Sequence, residues 1–400
     1  IVLGSALRVL LGHHQPTLAI STPTAEDSRP GETKDRVKEP SIMALETTST
    51  KIETDDSDNQ MRTPAAAFEY TPPPFFANDS RVPCWLQARI ADAYIFVTLH
   101  YNLWMVPFVL AFAVMYRNGY GLVALALVVA YVPSLLDGSE KTAEGRPWEA
   151  FRQSRLWMLT ANFLGVKVLR EQELDPTKKV VFGFHPHGII LLSRIATYGG
   201  IWEEMFPDTA PRALGATPIF FVPLARELCL WLGAVDASRS TADKVLRSGY
   251  SVNVYPGGVP EIFLSNPNTK ENKIVLKNRM GFVKLAIRHG AELVPTFVFG
   301  EKWFFNVWSP PTSVITFFRK VLKIPMIVFW GRFLWMPKRL PEGKRFGIVY
   351  GKPIPTVQNV EPTDAEVQAV HALYVAEIER LFAQYKGRFG YDADETLVIS

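Results

Sequence analysis

Past residue 150 the chain alternates between short apolar runs and segments whose apolar residues recur every three or four positions. "KVVFGF" (179–184), "SVNVY" (251–255) and "ELVPTFVFG" (292–300) read as buried strands. "MGFVKLAIRHG" (280–290) spaces Phe282, Leu285, Ala286 and Ile287 as one helical face, with Gly290 as a stop signal. Further on, "TDAE" (363–366) is a capping box, opening a helix that carries Val367, Val370, Leu373, Tyr374, Ile378 and Leu381 on one side. Strands followed in turn by helices predict an α/β domain over residues 150–390, with a mostly parallel sheet flanked by helices. In such sheets reactive groups gather beyond the carboxyl ends of strands.

Upstream the pattern is different. "YIFVTLHYNLWMVPFVLAFAVMY" (94–116) and "LVALALVVAYVPSLL" (122–136) are nearly continuous apolar runs joined by "RNGYG". They predict a membrane-embedded helical hairpin over 86–136, spanning twice or re-entrant, that returns the chain to its starting side. Arg81 and Arg89 precede the pair and Lys141, Arg146, Arg152 and Arg155 follow it, against Arg117 alone in the turn. The positive-inside rule then puts both termini on the cytosolic side. Residues 1–80 begin with an apolar patch, "IVLGSALRVLLG", without a clear cleavage site, and the initial Ile reads as a truncated or mistranslated start. The Ser/Thr/Pro/acidic stretch that follows lacks periodicity and is expected to be a disordered tail.

Composition adds a few exclusions. The hydrophobic fraction of 48% and aromatic fraction of 12% suit a large core with membrane contact, and a net charge of +4 without a long basic block gives no sign of nucleic acid. Two cysteines, Cys84 and Cys229, rule out a disulfide scaffold or a cysteine-rich zinc site. The aromatic-basic segment "FFRKVLKIPMIVFWGRFLWMPKR" (317–339) suits either a surface lying at a lipid interface or an apolar strand with its flanks.

The candidate chemistry lies in "VFGFHPHGII" (181–190), where His185 and His187 flank Pro186 as a strand ends, and Gly188 lets the chain turn. An imidazole there is a core filler, a metal ligand or a general base. Alternation would put both rings on one face, but a metal site needs a third ligand and the chain has no H-E-x-x-H motif or cysteine cluster. A base acting directly between a bound acyl donor and a bound hydroxyl needs no protein nucleophile, and G-x-S-x-G is absent. Downstream, "NVYPGGVPEIF" (253–263) presents Gly257 and Gly258, whose amides suit an anion or oxyanion site, and then Glu261. Arg239 in "VDASRS", with Lys277 and Arg279 in "LKNRMGF", supplies cations for the phosphates of a nucleotide-bearing acyl donor.

Taken in order, "FHPHG" (184–188), "GAVDASRS" (233–240), "YPGGVPE" (255–261), "RMGFVKLAIRHGAELVPTFVFGE" (279–301) and "VYGKPIP" (349–355) resemble the type 2 diacylglycerol acyltransferase family over about residues 85–390. That family includes monoacylglycerol and wax-alcohol acyltransferases and is distantly similar to the glycerophosphate acyltransferases. The resemblance implies a glycerophosphate-acyltransferase-like sheet and transfer of a fatty acyl group from acyl-CoA to diacylglycerol, forming triacylglycerol. Acyl-CoA is a co-substrate, no cofactor or metal is implied, and the partners are acyl-CoA, diacylglycerol and membrane lipid, with a homo-oligomer left open. His187 becomes the base, since its "HG" matches the histidine of the HxxxxD box, but Leu192 stands where the box has Asp. Glu261 is the candidate to orient the imidazole, His185 to position or share it, and Pro186, Gly188, Arg239, Gly257, Gly258 and Arg279 to line the substrate site. The implied location is the endoplasmic reticulum membrane or a lipid droplet surface. The competing expectations are a monoacylglycerol or long-chain alcohol acceptor, and a non-catalytic lipid-droplet protein.

Overall fold

The computed structural model describes residues 67–77, 80–308 and 328–400. Its strands in chain order are Phe68–Tyr70 (β1), Lys167–Arg170 (β2), Val180–His185 (β3), Pro211–Gly215 (β4), Ala234–Asp236 (β5), Ser251–Val254 (β6), Glu271–Ile274 (β7), Glu292–Phe299 (β8), Asn306–Trp308 (β9), Val328–Trp330 (β10), Gly347–Tyr350 (β11) and Thr396–Ile399 (β12). Eight of the described strands form one sheet in the order β1-β2-β11-β8-β3-β6-β4-β5, while β9 with β10 and β7 with β12 make two small ladders. The pairs β8–β3, β3–β6, β6–β4, β4–β5 and β2–β11 are parallel, and β1–β2 and β11–β8 are antiparallel. The α/β expectation with a mostly parallel sheet therefore holds.

The principal helices are Cys84–Leu99 (α1), Met105–Arg117 (α2), Gly121–Leu136 (α3), Trp157–Leu164 (α4), Leu192–Ile195 (α5), Ile201–Met205 (α6), Ala225–Trp231 (α7), Arg239–Arg247 (α8), Val259–Leu264 (α9), Gly281–His289 (α10) and Asp364–Tyr385 (α11). Every residue of β3 and of β8 is buried, because helices cover both faces of the sheet. On one face Val181, Val252 and Leu293 pack with Val283 and Ala286 of α10 and with Tyr374, Ile378 and Leu381 of α11. On the other, Phe182 and Phe184 pack with Leu192, Trp202, Phe206 and Tyr350, and with Ile95 and Leu99 of α1. The capping box opens α11 as expected, with Thr363 Oγ1 accepting from the Glu366 amide and Glu366 Oε2 from the Thr363 amide.

Three boundaries differ from the sequence expectations. Order reaches further toward the N-terminus than a tail ending at 80: Phe68–Tyr70 is an antiparallel edge strand on β2, held in part by Arg170 over the Phe68 ring at 5.3 Å. The rest of the predicted tail up to residue 66 lies outside the described residues. At the other end the fold continues past 390, since β12 pairs with β7 over Thr396–Ile399.

The third difference concerns the hairpin. The apolar run 94–116 is not one helix. It breaks at His100, which is 1% exposed, with its Nδ1 donating to the Phe96 carbonyl at 2.7 Å and its Nε2 accepting from the Trp335 amide at 3.1 Å. A buried polar ring with both nitrogens occupied fixes this corner, so the end of α1 packs on the core through Ile95 and Leu99, and α2 and α3 make an antiparallel apolar pair. Gly121–Lys141 is long and apolar enough to cross a membrane, at a mean hydropathy of 1.8; Met105–Arg117 is shorter. Leu110, Tyr116, Leu122 and Val129 on the pair are exposed, and so are Trp330, Phe333 and Leu334 beside β10. Part of the aromatic-basic segment, 317–327, lies outside the described residues.

The pair is fastened to the domain by charge. Arg226 of α7 is fully buried and donates to the Ser134 carbonyl at 2.6 Å, with the carboxylates of Asp137, Glu140 and Glu227 around it.

One contact sets the position of β3 against α11. Tyr374 Oη donates to the Gly183 carbonyl at 2.9 Å, and a Cβ at Gly183 would sit 2.1 Å from that oxygen. Gly183→Ala is expected to cost about 1–3 kcal/mol through overpacking. Adding Tyr374→Phe removes the struck atom and recovers part of the loss. Denaturant unfolding of the single and double variants checks this; a double variant less stable than Gly183→Ala alone would contradict it.

Candidate active site

Strand β3 ends at His185, so strict alternation ends there as well, and the two imidazoles part company. His185 is 0% exposed and points to the α11 face, edge-on to Tyr374 with ring centroids 5.9 Å apart. Its Nδ1 lies 3.3 Å from Glu261 Oε1, and its Nε2 is buried with no partner among the described residues. His187 is half-buried, edge-on to the Tyr255 ring at 5.4 Å. That tyrosine in turn stacks on Phe184 at 4.9 Å, so His187 leans toward the other face. Pro186 joins the two through a cis peptide bond.

The His187 ring has a fixed tautomer. Its Nδ1 lies 2.7 Å from the Gly188 carbonyl, which can only accept, so Nδ1 carries the hydrogen and Nε2 the lone pair. Burial pushes this imidazole below its ordinary pKa, against the opposing pull of the Gly188 carbonyl and Glu261. It is thus a neutral ring at neutral pH, with a proton-accepting nitrogen.

Glu261, the residue expected to orient that ring, acts one bond further back. Its Oε2 accepts from the His187 main-chain amide at 2.6 Å and its Oε1 from the Val275 amide at 2.8 Å, while Oε1 also faces His185. The glycine turn makes room for it. A Cβ at Gly257 would lie 1.9 Å from the Glu261 carboxyl carbon, and Gly258 at φ +61° leads into α9, which carries Glu261. Gly257 therefore faces a carboxylate.

Gly188 has a second acid against it. At φ +67° a Cβ there would lie 2.1 Å from Glu301 Oε1, which accepts from the Leu192 amide at 3.1 Å. Glu301 follows β8 and is 4% exposed. Burial raises its pKa to about 8, so it is largely protonated at neutral pH. Glu301 closes the motif segment quoted above, but its number alone gives no hint of this contact; Tyr255 likewise heads the Pro-Gly-Gly stretch as one more aromatic.

The cations expected to bind phosphate separate into two places. Arg279 is exposed, with Nη2 donating to the Gly257 carbonyl at 3.4 Å, beside the glycine turn. Arg239 opens α8 and is also exposed. It lines a cavity of about 520 Å³ with Lys284 and Arg288 of α10, floored by Leu214 and Val254 at the carboxyl ends of β4 and β6. The first turns of α10 and α11 meet the same cavity at Gly281 and Asp364. Lys284 and Arg288 escaped the sequence reading because cations on a helix ordinarily mark its solvated side.

The family model described as "Diacylglycerol acyltransferase" matches residues 114–400. Human "2-acylglycerol O-acyltransferase 3" is 32% identical over 314 residues, covering 74% of this chain and 90% of that protein. "Diacylglycerol O-acyltransferase 2" of Bos taurus is 30% identical, covering 69% and 80% of the two chains. Human "Acyl-CoA wax alcohol acyltransferase 2" is also 30% identical, covering 64% and 80%. The chain is an acyltransferase and belongs to the diacylglycerol acyltransferase family.

Proposed function

We propose that this chain moves a fatty acyl group from acyl-CoA to the free hydroxyl of diacylglycerol, with His187 as general base and without an acyl-enzyme. The observation that carries the reading is the His187 tautomer: Nδ1–H held by the Gly188 carbonyl leaves Nε2 to take a proton. As Nε2 removes the hydroxyl proton, that oxygen attacks the thioester carbon. The resulting tetrahedral intermediate expels the CoA thiolate, which takes the proton back from the imidazolium, so triacylglycerol and CoA leave and the ring is neutral again. Glu261 and His185 act as positioning groups, since Glu261 binds the His187 amide and faces the His185 ring.

The donor's phosphates are assigned to Arg239, Lys284 and Arg288, which line one solvent-open cavity on the α8–α10 side, with Arg279 and the Gly257-Gly258 turn toward the reacting end. The lipid acceptor comes from the opposite side, where α1 supplies core residues and α2 and α3 expose apolar surface. With 13 residues, α2 is about 20 Å long, short of the ~30 Å hydrocarbon layer. Its length favours a re-entrant wedge seated in the cytosolic leaflet of the endoplasmic reticulum or on a lipid droplet. A second reading keeps the mechanism and changes the acceptor to monoacylglycerol or a long-chain alcohol, as relatives of similar identity are named for each.

A microsomal assay with labelled oleoyl-CoA and diacylglycerol, run in parallel with monoacylglycerol and hexadecanol, tests both readings. His187→Ala should lower transfer by about 10²-fold or more, in the range general-base groups contribute; equal product from the variant and the wild type would sink the assignment. The pH profile follows from the shift. A depressed imidazole pKa keeps the base neutral to lower pH, so the acid limb of kcat/KM should have its midpoint below about 6.5, the ordinary histidine value. A midpoint above it would mean another group titrates. For the donor site, Arg239→Ala combined with Lys284→Ala is expected to raise the KM for acyl-CoA roughly tenfold, losing charge-assisted phosphate bonds, with the KM for acceptor little changed. An unaltered KM for acyl-CoA would place the phosphates elsewhere.

A further inference from the structure

Arg194 of α5 is 4% exposed, yet none of its three guanidinium nitrogens has a hydrogen-bond partner among the described residues. Its positive charge is held over the rings of Tyr198 and Trp202, each centroid 4.9 Å away. Of the other buried polar atoms without a partner among the described residues, the Tyr350 hydroxyl and Glu301 Oε2 are the two whose charge or dipole acts on the same tyrosine cluster. Tyr350 is 1% exposed and lies in the field of Arg194. Tyr255 feels both Arg194 and Glu301, and its hydroxyl meets Ser193 Oγ at 3.0 Å. Tyr255 is also the ring against His187, so this polar group is linked to the proposed base through one aromatic side chain.

A core this aromatic leaves no polar atom unmatched without reason, since each forfeits the hydrogen bonds it makes in water. The atoms share one character: the guanidinium, the tyrosine hydroxyl and a protonated carboxyl all donate. What fits them is a small, oxygen-rich group that only accepts. The neighbouring rings, Trp202, Phe184 and Tyr350, belong to the core face that also contains Ile95 and Leu99 of α1, the side with the exposed apolar helices. The exposed Arg239 and Lys284 and the half-buried Arg288 lie on the other side, where a multiply charged phosphate group stays hydrated.

We propose that Arg194, Glu301 and the Tyr350 hydroxyl form the subsite that takes the ester carbonyl oxygens of a glyceride acceptor, holding its free hydroxyl toward His187. The inference rests on the acyltransfer reading above and adds to it the group by which an acylglycerol is told from a plain alcohol. Discrimination of this kind is large when a site's buried donors are left unpaired by the wrong substrate.

The test compares two acceptors that differ only in those carbonyls, 1,2-diacylglycerol and its 1,2-dialkyl ether analogue, with oleoyl-CoA and the full-length chain in microsomes. Wild type is expected to prefer the diester by at least tenfold in kcat/KM. Tyr350→Phe removes a hydroxyl that has no bond to lose among the described residues, so the fold is kept while the preference falls several-fold. Arg194→Met should bring it close to unity, the loss falling on the diester alone. Equal loss on both acceptors, the mark of a structural or transition-state role, would overturn the inference, as would an unchanged preference in both variants or a wild type that treats the acceptors alike. A wild type without transfer to either acceptor removes the diacylglycerol reading and this inference together; active variants with unaltered preference remove the inference alone.

Discussion

The local architecture depends on one carboxylate shut away from water. Glu261 is 1% exposed and accepts two main-chain amides, His187 after β3 and Val275 after β7, while facing the His185 ring. Each of those amides would cost about 1–3 kcal/mol if left unpaired in the interior. The carboxylate therefore ties the exit of the central strand to α9 and to the small β7–β12 ladder. Gly257 serves the same end, because any side chain there would occupy the space of the Glu261 carboxyl group. The reason for the glycine pair is thus close approach by an acid.

From that tie follows a division between the two faces of the sheet. His185 lies toward α11 under Tyr374, and His187 lies across the strand end against Tyr255 and Phe184. One side of the sheet ends in a basic cavity, the other in aromatic packing that runs on to α1 and the exposed helices beyond it. A water-soluble donor and a lipid acceptor approach most simply from different sides, and the proposed base stands between them. Arg226, buried among three carboxylates, holds the apolar helix pair against this frame. An ion cluster of that kind contributes little net stability but is costly to break, which suits a joint whose purpose is a fixed angle.

How much of this was legible in the chain depends on the distance over which each signal acts. β3, β6, β8, α10 and the capping box of α11 declare themselves through local periodicity and capping chemistry, and the structure has them within a residue or two. The antiparallel return of β11 beside β8 does not, since a four-residue apolar run carries no mark of direction. The break at His100 also escaped, because its cause, the Trp335 amide, is 235 residues away. The candidate site divides in the same way. The histidines and Glu261 stand in short motifs, while Glu301, Tyr255 and Arg194 gain meaning only from neighbours that folding brings to them.

The choice of a carbonyl to orient His187 has a consequence for the proposed reaction. A carboxylate bonded to Nδ1 would raise the ring's pKa by stabilising the imidazolium, giving a stronger base that is partly spent by protonation at neutral pH. The Gly188 carbonyl is neutral and stabilises the charged ring less, so burial prevails and the pKa falls. The nearest carboxylate, Glu261, is spent on the main-chain amide, where it fixes position with only a modest pull on the ring. Glu301, the other acid against the motif, is largely protonated at neutral pH and adds little negative charge there. The arrangement keeps the imidazole mainly in its base form at neutral pH. For a thiolate leaving group, which departs without needing a strong acid, availability of the base matters more than its strength.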